Sequence, residues 1–78
     1  MNKLIIRVDP RKAEEVKKSL KNMGIDIVEE YPGSPYYLVA GPYVHPKVFP
    51  NIAKIPGVVA LYDWAGVKIS LKGEEIWE

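Results

Sequence analysis

The chain has 78 residues, of which 27% are charged and none is cysteine. A chain of this length forms one domain with a small core, and the lack of cysteine excludes disulfides, thiol nucleophiles and cysteine-ligated zinc. Eleven basic residues against ten acidic ones leave a net charge of +1, which argues against a general polyanion-binding protein.

The apolar segments are short. None approaches the roughly 20 residues of a membrane helix, and the run in "MNKLIIRVD" is too short for a signal peptide. We therefore expect a soluble, cytoplasmic protein. Plentiful Lys, Glu, Ile and Val, without Gln, Thr or Cys, are typical of a heat-adapted source.

The first predicted element is a strand at residues 3–8, "KLIIRV", where apolar residues alternate. Such alternation is typical of a strand with one face in the core and the other exposed. The two faces would carry Leu4, Ile6 and Val8 on one side and Lys3, Ile5 and Arg7 on the other.

A helix should follow, with Asp9 as its N-cap and Pro10 in its first position. Gly24 is placed to end it in the left-handed conformation, so the helix ends at about Met23. One apolar stripe has helical spacing and should face a sheet. Its members are Ala13, Val16, Leu20 and Met23.

Two strands joined by "PGSP" come next, at residues 25–31 and 36–40. Acidic residues on the former suit an edge strand that must resist pairing with other chains. The latter, "YYLVA", is apolar on both faces, so either Tyr36 or Tyr37 could point inward.

A short helix is expected at residues 49–55, with Pro50 in its first position. Pro56 should end it, and Gly57 should allow the reversal into a strand, "VVALY". Beyond a type I turn, "DWAG", residues 67–71 alternate again and predict an extra short C-terminal strand.

The element order βαββαβ predicts an α+β fold, the ferredoxin-like plait, as one domain over residues 1–78. Both helices would cover one face of an antiparallel sheet, with the first and third strands central. The opposite face would stay uncovered.

Residues for catalysis or cofactor binding do not converge in this sequence. His45 is a lone histidine between prolines, which favours a capping or solvated role over catalysis or metal binding. Neighbouring glutamates point to opposite faces of a strand, and no glycine-rich phosphate loop occurs. We predict a non-enzymatic protein without a cofactor or metal.

Basic residues cluster on the first helix, but Glu14 and Glu15 interleave with them, which favours a solvated face over an RNA groove. Three tyrosines could stack on bases from the open face, although the aromatic signature of RNA-recognition modules is missing. Nucleic acid is therefore an unlikely partner. Trp64 and Trp77 should either cap the open face or meet a partner.

The segments "LIIRV", "GIDIVEEY", "YYLVA" and "IAKIPGVVALYD…VKIS" resemble the subtilisin-propeptide type of peptidase inhibitor. The resemblance implies a sheet face that docks on a protease and a C-terminal tail that enters the substrate groove. In this chain the tail is "GEEIWE", with Ile76, Trp77 and Glu78 nearest the groove. The chain differs in having a predicted strand before that tail.

Two weaker resemblances suggest other functions. "PYYLVAG" and "IPGV" are similar to the N-terminal domain of NusG-type transcription elongation factors, which implies a nucleic-acid or transcription-associated role. The plait itself is similar to ligand-sensing regulatory domains of the ACT type, but Asp9 and Pro10 replace their characteristic glycine.

We thus expect a small protein-binding module, an adaptor or a propeptide-like inhibitor, that uses its open sheet face and C-terminal tail. Its partner would be another protein or a second copy of the chain. The predicted contact residues are Lys3, Ile5, Arg7, Tyr62, Trp64, Ile76 and Trp77.

Overall fold

The computed structural model describes residues 3–69. It contains one four-stranded antiparallel sheet and two α-helices, α+β as expected. The strands are β1 (Leu4–Val8), β2 (Ile27–Tyr31), β3 (Tyr36–Ala40) and β4 (Val58–Asp63). The helices are α1 (Ala13–Asn22) and α2 (Phe49–Ala53), each preceded by a 3₁₀ turn, Pro10–Lys12 and Pro46–Val48 respectively.

The strand order across the sheet is β2-β3-β1-β4. The central strands are therefore β1 and β3, while β2, with its acidic residues, is an edge as predicted. Ile6 lies opposite Leu38 of β3 and Leu61 of β4, so these three side chains share one face. Their neighbours along each strand point to the other face.

The core lies on a single side of the sheet. It joins alternate residues of the strands to the apolar stripes of both helices, and no polar side chain is buried among residues 3–69. Its largest fully buried members are Leu4, Ile6, Leu20, Leu38, Ile52, Val8 and Val16. No buried residue of this cluster lies on the opposite face of the sheet, the face that carries Ile5.

The ends of α1 follow local sequence signals. The Asp9 carboxylate accepts a hydrogen bond from the backbone N–H of Arg11 at 3.0 Å, although the first turn is 3₁₀ rather than α. At the other end Gly24 has φ 78°, and the N–H groups of Gly24 and Ile25 donate to the carbonyls of Lys21 and Leu20. Met23 is 39% exposed because it caps the helix and does not extend the buried stripe.

The α2–β4 corner holds the second helix close to the first. Helix α2 ends at Ala53, two residues before the predicted limit, and Pro50 lies in its first turn as expected. Gly57 has φ 104°, and its carbonyl accepts a 2.8 Å hydrogen bond from the N–H of Asp9. A Cβ at Gly57 would lie only 2.8 Å from Cβ of Lys12, so this corner requires glycine for contact as well as conformation.

After β4 the chain turns back on itself. The N–H of Gly66 donates to the carbonyl of Asp63 at 2.8 Å, and the Asp63 carboxylate accepts bonds from the N–H groups of Ala65 and Val67. Lys68 then forms an antiparallel bridge opposite Tyr62. The predicted strand at residues 67–71 is represented here by that bridge, and its last two residues lie outside the described part of the chain.

Candidate binding surface

The sheet face opposite the helices, here called the open face, is defined by the register of the strands. Two rows of side chains cross it. One row consists of Glu29, Val39, Ile5, Tyr62 and Lys68, and the next consists of Tyr31, Tyr37, Arg7 and Ala60. Aromatic and cationic side chains therefore lie side by side on a surface that no described helix covers.

The centre of the open face is a depression between two tyrosines. The rings of Tyr37 and Tyr62 reach towards each other across β1, with centroids 6.4 Å apart and planes at 72°. Together with Ile5 and Gly66 they line a hollow of about 240 Å³. Typical small-molecule pockets have volumes of about 300–1,000 Å³. This smaller hollow therefore suits a single anchoring side chain.

Val39 gives the open face a small apolar layer of its own. It is only 2% exposed, although it points away from the helices and does not belong to the main core cluster. Its partners across the sheet are Ile5 and Glu29. The floor of the open face is therefore apolar and already shielded from water at Val39.

Trp64 stands at one end of the open face with half of its surface exposed, 51%. The ammonium of Lys3 lies 4.7 Å from the centroid of the indole ring, within the range of a cation–π contact. The Lys3 stem is itself confined, since a Cβ at Gly41 would approach its Cγ to 3.0 Å. These contacts give the indole a defined position beside β1.

Cations surround the depression. Lys3 and Arg7 flank Ile5 along β1, each about 7 Å away along the strand, and Lys68 lies opposite Tyr62. Within residues 3–69, neither Arg7 nor Lys68 forms a salt bridge. The acidic member of these rows, Glu29, accepts a hydrogen bond from the Tyr31 hydroxyl at the β2 edge. The open face is therefore apolar at its centre and positive along β1 and beside β4, with Glu29 as an acidic residue at the β2 edge.

The helix-covered side carries a separate polar cluster that links α1 to the sheet. The Lys17 ammonium lies 2.9 Å from a carboxylate oxygen of Glu30 and 2.9 Å from one of Glu14. The Tyr36 hydroxyl donates to Glu30, and this bond together with Lys17 lowers the pKa of that carboxyl. The same contacts raise the pKa of Lys17 and of Tyr36. This cluster fixes Tyr36 on the inner side, which leaves Tyr37 to point outward.

His45 has the capping role that the sequence predicted. Its Nδ1 accepts a 3.0 Å hydrogen bond from the N–H of Lys47, and its ring contacts Tyr43 edge-on. It lies in the loop before α2 and does not belong to the open face. Nowhere in residues 3–69 do three His, Asp or Glu side chains come together as a metal site requires.

The structure brings together most of the predicted contact residues. Lys3, Ile5, Arg7 and Tyr62 lie on the open face, and Trp64 contacts Lys3 at its end. Ile76 and Trp77 lie outside the described residues. The predicted contact residues did not include Val39 or Lys68, and the sequence left open whether Tyr36 or Tyr37 faces outward, because only strand pairing shows which residues share a face with Ile5.

Comparison with known proteins gives no relative. No family model matches the chain, and neither a curated protein nor a solved structure shows significant similarity to it. Over the described residues, neither helix has the length and hydrophobicity needed to span a bilayer.

Proposed function

We propose that this protein is a non-catalytic binding module that takes an acidic polypeptide segment on its open face. The segment would place one aromatic or aliphatic side chain in the depression lined by Tyr37 and Tyr62, with carboxylates near the neighbouring cations. The observation that carries the proposal is the apolar depression flanked by Lys3, Arg7 and Lys68. The cations would set orientation and association rate, while the buried anchor would supply most of the affinity.

We also assign the fold to the ferredoxin-like plait. The order β2-β3-β1-β4 supports this assignment, since a βαββαβ chain with its first and third strands central has this order. The shared core of α1 and α2 on one side of the sheet supports it as well. In such a plait the open face is the side of the sheet that the two helices leave uncovered.

A second copy of the chain is a poorer match for this surface than an acidic partner. A two-fold dimer through the open face would place the same patch on both sides of the interface. Lys3, Arg7 and Lys68 would then face the cations of the other copy, and like charges in an interface cost free energy.

Single-stranded nucleic acid also binds to surfaces of aromatic and cationic residues. Stacking needs free ring faces, whereas Tyr37 and Tyr62 are half-buried and contact each other edge to face. The arrangement favours an inserted side chain over stacked bases.

The proposal can be tested by NMR titration of the full chain with a synthetic peptide in which one tryptophan is flanked by glutamates. We expect chemical-shift changes centred on Ile5, Tyr37 and Tyr62, with affinity that falls as salt is added. The matched peptide with lysines in place of glutamates should bind more weakly. Arg7→Glu should weaken binding of the acidic peptide, while Lys18→Glu, on the exposed side of α1, should not.

Three outcomes would contradict this function. Equal binding of both peptides would remove the role of charge, and shifts located away from the open face would remove the site. Tight, salt-sensitive binding of a uridine oligonucleotide in place of the peptide would assign the surface to nucleic acid.

The inhibitor resemblance is a specific form of the same proposal. It expects the full chain to slow a subtilisin-like protease and expects loss of residues 76–78 to abolish that effect. Unchanged protease activity at a large excess of the full chain would exclude this form and leave the general binding module intact.

A further inference from the structure

We propose that the chain carries its own ligand for the open face: residues 70–78 bind there in cis, with Trp77 in the depression between Tyr37 and Tyr62. The inference rests on the proposed chemistry of that surface. It adds a regulatory consequence, because an external acidic segment must displace this internal one.

The sequence of the segment, "SLKGEEIWE", matches the ligand that the open face selects. Glu74, Glu75 and Glu78 flank the apolar pair Ile76 and Trp77. Carboxylates on both sides of an aromatic anchor are the complement of an apolar depression between cations. The rest of the chain has no other stretch with three glutamates around a tryptophan.

The segment begins at the correct edge of the sheet. The N–H of Ile69 donates to the carbonyl of Leu61 at 2.8 Å, so the described part of the chain ends beside β4. Gly66 lines the depression, and Lys68 lies opposite Tyr62, which itself lines it. The last described residues therefore border the proposed binding position.

The length of the segment is sufficient. From the Lys68 bridge to β3 is three strand spacings, about 14 Å at 4.7–4.9 Å each. The eight residues that follow Ile69, up to Trp77, span up to about 26–29 Å when extended. Gly73 provides a position at which the chain can reverse without a steric penalty. Trp77 can thus reach the depression from β4 with chain to spare.

The first experiment follows Trp77 in the full-length chain. Trp64→Phe leaves Trp77 as the only indole and keeps an aromatic ring beneath Lys3. We expect blue-shifted emission and strong protection from acrylamide, both independent of protein concentration because the contact is intramolecular. Emission and quenching equal to those of free indole in the folded protein would overturn the proposal, and so would protection that disappears on dilution.

Charge reversal tests the predicted position of the glutamates. In the Trp64→Phe background, Arg7→Glu or Lys68→Glu should expose Trp77, whereas Lys18→Glu should leave it protected. Adding Glu74→Lys and Glu75→Lys to Arg7→Glu should restore protection. Far-UV circular dichroism shows that each variant is folded. Equal quenching in Arg7→Glu and Lys18→Glu would contradict the proposed placement.

A binding measurement separates this inference from the proposed function. If the segment covers the open face nine times in ten, Trp77→Ala should raise the affinity for the acidic peptide about tenfold, since apparent affinity scales with the uncovered fraction. A protected Trp77 with no peptide binding even to Trp77→Ala would refute the function and retain the internal contact. Peptide binding that Trp77→Ala leaves unchanged would refute the internal contact and retain the function.

Discussion

The two faces of the sheet differ although the same strands form both. On the helix-covered face, Ile6 is fully buried and contacts only apolar neighbours in the core cluster. On the open face, Ile5 is half-buried and lies between Lys3 and Arg7, the next residues on the same side of β1. The comparison shows that adjacent, chemically identical residues lie in different environments: Ile6 completes the core, and Ile5 lies on the surface that we propose for recognition.

The strongest test of this contrast is the pair Ile6→Ala and Ile5→Ala. Ile6→Ala should cost about 2–5 kcal/mol of unfolding free energy, because it leaves a cavity in the core. In a domain of this size such a loss approaches the total stability. Ile5→Ala should be far milder in chemical denaturation and should instead weaken peptide binding. Equal destabilisation by both substitutions would contradict the division between the faces.

The corner at Gly57 tests how closely the helix-covered side is packed. Gly57→Ala should destabilise the fold by about 1–3 kcal/mol, since it combines a strained positive φ with a contact to Lys12 and Val16. Gly24→Ala is the matched control, because Gly24 also has positive φ but a Cβ there would meet nothing within 4 Å. Gly57→Ala should have the lower melting temperature. The same melting temperature for both variants would show that the contact with α1 is unimportant.

Tyr62→Leu tests the aromatic pair on the open face. Removing the edge contact with Tyr37 should cost about 0.5–1.5 kcal/mol of stability. The larger effect should be loss of peptide-induced chemical shifts at Ile5. Tyr43→Leu removes an exposed ring that contacts His45 outside the open face, so it should leave binding unchanged. Loss of binding in both variants would contradict the assignment of the site.

The smallest expected effect concerns the polar cluster on the helix-covered side. Glu30→Gln removes a carboxylate whose pKa is held below its ordinary value of 4.5 by the Tyr36 hydroxyl and by Lys17. A lowered pKa stabilises the fold above the ordinary value and loses that effect as pH falls through the folded-state pKa. The variant should melt slightly lower than the wild type at pH 7, and the difference should vanish in strong acid. A constant difference at all pH values would contradict this origin.

Much of the fold could be predicted from local patterns. The alternation in β1 identified Leu4, Ile6 and Val8 as buried, and Gly24 and Gly57 marked the helix end and the corner. The turn from Asp63 to Gly66 also formed as predicted. These signals work because each depends on the conformational preferences of a few consecutive residues.

The candidate site was predicted only in part. The alternation of β1 was enough to place Lys3, Ile5 and Arg7 on one surface. Tyr37 could not be told from Tyr36, because "YYLVA" is apolar on both faces and gives no periodicity. Lys68 was missed because its bridge to Tyr62 depends on the geometry of the turn between them.

The sequence by itself determined the order of the strands and helices, their approximate limits, and which side of β1 faces the core. Only the tertiary structure decided which tyrosine of β3 meets the core and which faces outward. It also placed Trp64 beneath Lys3 and closed a depression between residues on three different strands. The physical reason is that pairing between strands joins residues far apart in the chain, and a shift of one residue in register would move every side chain to the opposite face.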